Sequence, residues 1–387
     1  MEALQSLFET SGFPSLTWQN LVMFGVGGLL IYLAVARQYE PLLLIPIGFG
    51  AILANLPLAC LGAAHGARAS ADSEMPHLLQ LIYDTGIRTE FLPPVVFLGV
   101  GALTDFRPLL GRPITFLLGA AAQFGVFAAA IGAFYLFGDT FNAQEAATIG
   151  IIGGADGPTS IFLAAKLAPH LLGAIAVAAY SYMALVPVIQ PPIIRLLTTR
   201  AERAIDSGNP REVSRAAVIL FPILTATVTI LAVPSCAPLL AMLMFGNLLR
   251  ESGVTERLVT TAGGPLINVV TIFLGLTVGA TMEGATFLSP QTLFILALGA
   301  AAFAFSTLGG VVAAKLINTL LPAGKKINPC IGAAGVSAVP MAARVVQTLV
   351  SKETRGRVNP LMIAMGPNVA GVVGTAVAAG VFLAVLR

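Results

Sequence analysis

Charge is scarce in this chain. Only 10% of its 387 residues are charged, and 57% are hydrophobic before the 40 glycines are counted. A soluble domain carries roughly 25% charged residues. So few charges cannot cover the surface of a water-soluble protein this long, which excludes a soluble globular enzyme. Disorder is excluded as well, because apolar content is high and the net charge is only +3. Cysteine is nearly absent: Cys60, Cys236 and Cys330 show neither CxxC nor metal-ligand spacing, and an odd, dispersed set is no disulfide framework. His65, His77 and His170 form no HExxH-type cluster, and Walker lysine loop, nucleophile elbow and zinc signature are all missing. No Ala-Met-Lys-Met offers a lysine for biotinylation, so a chemical energy source must arrive on another subunit. No basic stripe points to nucleic acid. Before Arg37 the only charges are Glu2 and Glu9. Without a cationic leader region, the first apolar span is expected to stay on the chain as a membrane helix.

What is present is apolar sequence in long stretches, with a mean hydropathy of +0.89. A bilayer core needs about 20 apolar residues per helix, fewer where a helix is broken or re-entrant. Charge-poor stretches fall at 17–36, 41–64, 91–103, 113–137, 146–165, 167–194, 216–236, 237–249, 262–282, 289–314, 327–343 and 358–386. The chain therefore reads as an all-α polytopic integral membrane protein. The longest polar connections are His65–Glu90, Arg195–Arg215 and Arg344–Arg357. The second carries Arg195, Arg200, Arg203, Arg211 and Arg215, and the third Arg344, Lys352, Arg355 and Arg357. Lys/Arg bias places these two in the cytoplasm and His65–Glu90 outside. The arginine-rich loop serves as a topology anchor, and receiving a soluble partner is the alternative role.

The two halves echo each other. Leu118-Gly-Ala-Ala-Ala122 recurs as Leu298-Gly-Ala-Ala-Ala302, and Ile152-Gly153 as Ile331-Gly332. The shared order and near-constant offset predict a first membrane repeat over 1–195, a loop over 196–215 and an inverted second repeat over 216–387. Shared composition is the competing explanation. Fused inverted repeats place their site at midplane, where the halves meet.

Two segments carry the chemistry. In Gly153-Gly-Ala-Asp156-Gly-Pro158-Thr159-Ser160, glycine and Pro158 break the helix. Bare backbone at membrane depth is tolerated only inside protein or beside a cavity. A midplane carboxylate is expensive unless it is paired, so Asp156 is a functional candidate by default; it also fits a cap for a helix restarting at Pro158. Carboxylate, hydroxyl and freed carbonyl oxygens are ligands for a small hard cation. The counterpart is Asn328-Pro-Cys-Ile-Gly332-Ala-Ala-Gly-Val-Ser337-Ala-Val-Pro340. Here Asn328 reads as a ligand or an N-cap, and Ser337 as a ligand or a packing residue. Gly366-Pro367-Asn368 adds a third interruption. Tyr182 reads equally as a ligating or titrating group and as a packing residue. Arg344 reads as an interfacial anchor or as a guanidinium for an anionic substrate.

The two long motifs together, the second extended to Arg344, resemble the beta subunit of the sodium-translocating, biotin-dependent decarboxylases, over nearly the whole chain. The resemblance implies two inverted repeats forming a scaffold and an elevator-like mobile core in the bacterial cytoplasmic membrane. It implies that carboxybiotin on a partner is decarboxylated, a proton is consumed and Na⁺ is exported. It assigns catalytic roles to Asp156, Tyr182 and Arg344, with Arg344 near carboxybiotin. Na⁺ is assigned to Asp156, Asn328, Gly332, Ser337, Tyr182 and Asn368. Its implied partners are an alpha subunit (carboxyltransferase and biotin carrier), a small gamma-type membrane subunit and further beta copies. The rival reading is a stand-alone sodium-coupled secondary transporter or Na⁺/H⁺ antiporter.

Overall fold

A computed structural model describes residues 11–57, 78–322 and 325–386. Cys60, His65, His77 and the 65–77 part of the connection expected outside lie beyond the described residues. Among the described residues every regular element is helical. Seven helices are long and apolar enough to cross a membrane, or eight if one bent pair is a single span.

Helix α1 (Trp18–Arg37) begins at a reciprocal cap, Thr17 and Asn20 each bonding the other's backbone or side chain. Helix α2 (Pro41–Ala54) returns, so that Asn20 near the start of α1 donates to the Asn55 carbonyl at 2.9 Å. A bend of 64° separates the helical segment Leu78–Arg88 from α3 (Leu92–Leu103). Helices α4 (Ile114–Ala122) and α5 (Phe124–Leu136) make one span interrupted at Gln123, followed by α6 (Ala143–Gly150) and α7 (Gly157–Leu167). Helix α8 (Leu172–Leu197) closes the first half and stays helical through Pro187, Pro191 and Pro192.

The second half runs through α9 (Arg215–Ala232), α10 (Ala237–Ser252), α11 (Ile267–Ala280) and α12 (Pro290–Leu320) to α13 (Met341–Glu353) and α14 (Leu361–Leu386). Helix α2 packs along α11, and α3 along α10. Small residues let these backbones approach: a Cβ on Gly101 would lie 2.0 Å from the Leu243 carbonyl oxygen, and one on Gly246 2.1 Å from that of Leu98. A second group joins α4, α5, α8, α12 and α14, with the broken segments packed among them.

Polar contacts show which helix ends share a face. At one end Arg195 and Arg203 both pair with Glu353, and Lys315 pairs with Glu202. At that same end Arg112 donates to the Ser207 carbonyl. The two arginine-bearing connections therefore meet on one side. The Arg344–Arg357 stretch is not a plain connection: its 344–353 part belongs to helix α13. At the opposite end Lys166 pairs with Glu90, His170 with Glu145, and Gln144 donates to the Leu386 carbonyl. The 26-residue α8 rises about 39 Å and joins the two ends.

Neither α6 nor α7 can cross alone: at 8 and 11 residues they rise about 12 and 16 Å, against ~30 Å of hydrocarbon. They form a hairpin instead. It leaves and returns to the Lys166 end, and the Glu145–His170 pair at 2.8 Å ties its two limbs together. The segment Asn328–Glu353 is a second hairpin from the arginine-rich end. Its first limb is the 3₁₀ helix Pro329–Gly335 and its second is α13. The two tips meet: Ser337 N–H donates to the Gly154 carbonyl at 2.7 Å.

Candidate functional site

At the tip of the first hairpin Ala155 sits at φ 52°, and the chain then turns to start α7 with Asp156 as its N-cap and Pro158 in the first turn. Proline costs nothing there, because its missing N–H would have had no helical partner. Asp156 Oδ1 accepts from Thr159 N–H at 3.4 Å, and Oδ2 accepts from the Ser337 hydroxyl at 3.0 Å. The carboxylate is thus both a cap and a bridge between hairpins, 7% exposed and without an ion-pair partner among the described residues. Buried carboxylates are ordinarily paired with a cation. This one is left with two weakly satisfied oxygens facing space.

That space is a cavity of about 510 Å³ between the hairpin tips and the start of α2, α3 and the segment Gly263–Thr271. Asp156, Ser337, Tyr180, Glu40 and Arg344 all line it. Arg344 on α13 is exposed and has no ion-pair partner among the described residues, so its guanidinium is available at the cavity wall. Of the sequence-predicted residues, the fold therefore brings Asp156, Ser337 and Arg344 to one cavity.

The others sit elsewhere. Asn328 caps the 3₁₀ limb, its Oδ1 accepting from Cys330 N–H at 3.0 Å, while its Nδ2 donates to the Arg203 and Ile205 carbonyls at 2.8 and 3.1 Å. It buttons the second hairpin to the arginine-rich loop. Gly332 lies against α12, where a Cβ would come within 2.0 Å of the Gly310 carbonyl oxygen. Asn368 on α14 is buried beneath the second tip. Its Nδ2 donates to the Ala334 and Val336 carbonyls at 3.0 and 2.7 Å, and its Oδ1 has no partner. Tyr182 points away from the cavity and gives its hydroxyl to the Leu296 carbonyl on α12.

Two cavity residues escaped the sequence reading. Tyr180 stands two positions before Tyr182, and residues i and i+2 point to nearly opposite sides of a helix; with both inside one apolar run, no pattern said which faced the cavity. Glu40 is the lone acid between α1 and α2, held at φ 36°. A charged residue just before Pro41 was a signal, but it reads equally as the end of a span.

Residues 19–386 match the family described as the Na⁺-transporting oxaloacetate decarboxylase beta subunit. The chain is 56% identical to the methylmalonyl-CoA decarboxylase subunit beta of Veillonella parvula, over 99% of this chain and 98% of that one. It is 53% identical to the glutaconyl-CoA decarboxylase subunit beta of Acidaminococcus fermentans, with the same coverage. Against the oxaloacetate decarboxylase beta chain 2 of Salmonella typhi it is 50% identical over 99% of both. With a buried carboxylate at the meeting of two hairpins, in a chain of membrane-spanning helices matched from end to end, the protein belongs to the family of Na⁺-transporting oxaloacetate decarboxylase beta subunits.

Proposed function

We propose that this chain is the membrane subunit of a sodium-pumping decarboxylase, acting only within a multi-subunit complex. Carboxybiotin on a partner enters the cavity from the arginine-rich, cytoplasmic end. Its N–C bond breaks, CO₂ leaves, and the ureido nitrogen takes up the proton that is consumed. Arg344 grips the carboxylate of the incoming group. Na⁺ occupies the site beside Asp156 and Ser337, with the carbonyls freed at the hairpin tips as further hard oxygen ligands. Asn368, through its unpartnered Oδ1, contributes to a second ion position. Asn328 and Gly332 hold the second hairpin in register, and Tyr182 fixes α8 against α12.

The observation that carries this reading is the Asp156 carboxylate: buried, bridged to Ser337 across two hairpins and open to a cavity that reaches an unpaired arginine. Exporting one charge against 100 mV costs about 2.3 kcal/mol. Decarboxylation drives it only if the reactive and the releasing states differ in Na⁺ affinity.

The architecture proposed with it is a pair of inverted repeats in the bacterial cytoplasmic membrane. Its support is the arrangement of the hairpins, one from each end, each following a long helix of its own half. The α2–α11 and α3–α10 pairs match helices across the halves in the same exchanged way. The group around α2, α3, α10 and α11 is the scaffold, and the hairpins with α8, α12 and α14 move against it. The partners are a carboxyltransferase and biotin-carrier subunit, a small membrane subunit and further copies of this chain.

The test is the complete complex in sealed vesicles. Na⁺ should stimulate decarboxylation and be carried into inside-out vesicles only while substrate is decarboxylated. Na⁺ movement by this chain on a pH or solute gradient alone would replace the proposal with a secondary transporter.

A further inference from the structure

The environment of the Asp156 carboxylate holds an oxygen that no described residue satisfies. The Tyr180 hydroxyl is buried and lacks a hydrogen-bond partner among the described residues. For Tyr180 this is costly, because an orphaned polar group carries its full desolvation penalty, and its oxygen lone pairs are free to meet a cation. The side chain is fully buried, so bulk water does not supply that partner. Its position is fixed by the residue after Asp156. A Cβ on Gly157 would fall 2.0 Å from Tyr180 Cε1 and 2.2 Å from Cζ, the carbon that bears the hydroxyl. Only glycine at 157 lets the phenol lie against the start of α7, in the wall of the cavity that Asp156 also lines. Tyr182 offers no such oxygen, since it points away from the cavity toward Leu296 on α12.

We propose that the Tyr180 hydroxyl is an oxygen ligand of the transported cation, completing with Asp156 the ion site where the two hairpins meet. A carboxylate held only by Ser337 and Thr159 is short of ligands for a hard cation, which is held by several oxygens at once. The orphaned phenol oxygen is such a neutral ligand, its ring held in place by packing against Gly157. This assignment rests on the function proposed above and adds to it the tyrosine that the motif spacing did not single out.

The test compares the intact complex carrying wild-type chain with one carrying Tyr180→Phe, which removes only the oxygen. Two quantities are read: the Na⁺ concentration giving half-maximal decarboxylation, and the rise in thermal unfolding temperature with added NaCl. The expected result is a shift of both to at least tenfold higher Na⁺, equivalent to ~1.4 kcal/mol. A purely structural role would lower the rate and the stability without displacing the Na⁺ dependence. If Tyr180→Phe does not assemble, p-aminophenylalanine at 180 keeps ring shape and hydrogen bonding but replaces the hard oxygen by nitrogen, and the same displacement is expected. Wild-type Na⁺ dependence in the assembled variant overturns the assignment. A wild-type complex with no Na⁺ stimulation at all fails the proposed function itself, a different result from a silent Tyr180.

Discussion

At the scale of single residues, the site turns on a carboxylate that membrane depth would otherwise reject. Asp156→Asn keeps the cap on α7 and a partner for Ser337 but removes the charge. Taking one partner from a buried charge pair costs about 3 kcal/mol or more, so Na⁺-dependent decarboxylation should fall by about 100-fold or more. An Asp156→Asn complex with full activity and unchanged Na⁺ dependence would sink the role given to this residue. The sequence announced Asp156 because it is the one charge in a long apolar stretch. It did not announce Tyr180, because two tyrosines two apart inside a helix differ only in the direction they face, and direction is fixed by what packs around the helix.

At the scale of elements, the proposed function rests on the two hairpins, and each is held by a small set of contacts. Asn328→Ala would strip the N-cap from the 3₁₀ limb and free the Arg203 and Ile205 carbonyls. With Asn328 fully buried, a loss of roughly 2 kcal/mol is expected, measured as a lower unfolding temperature in detergent and a looser second hairpin by hydrogen exchange. Gly332→Ala would drive a methyl into the Gly310 carbonyl. Overpacking of this kind costs about 1–3 kcal/mol, and Na⁺-stimulated activity should drop with the thermal stability; an unaltered variant would mean α12 yields easily. That these segments are broken was legible from Gly, Pro and charge. Whether they cross as broken helices or turn back as re-entrant ones, both expected from the sequence, was settled only by the pairing of Glu145 with His170 and of Arg203 with Glu353, which brings each hairpin's ends to the same side.

At the scale of the whole molecule, charge decides which faces belong together. Glu353 receives hydrogen bonds from Arg195 and Arg203. Burial works against its charge, but these bonds and the two guanidinium charges outweigh it and hold the carboxyl below the usual range. A carboxyl depressed in the folded state gives stability that is fully present above its unfolded pKa. That stability is lost as pH falls through the lower folded value. Glu353→Gln should therefore flatten the acid side of the stability profile while leaving the neutral side lower than wild type; identical acid limbs for the two proteins would show that the pair is screened by solvent. Orientation has its own measurement. Single cysteines at Asn209 and Asp139 of a variant without native cysteines should be labelled by a membrane-impermeant thiol reagent from opposite sides, Asn209 from the cytoplasmic one. Labelling of both from one side would break the two-ended arrangement.

By itself the sequence determined the solvent, the class and the chemistry of this protein. Scarce charge fixed a membrane-embedded helical chain, and one aspartate among Gly and Pro marked a broken helix with a candidate ion ligand, since both follow from local composition and from the cost of bare polar groups in hydrocarbon. The tertiary structure alone decided which distant residues meet. Asp156 and Ser337 lie 181 positions apart and touch because two hairpins too short to cross enter from opposite ends. Asn328, Gly332 and Tyr182 are drawn into packing around that meeting point, while Tyr180, turned by half a helical turn, faces the cavity.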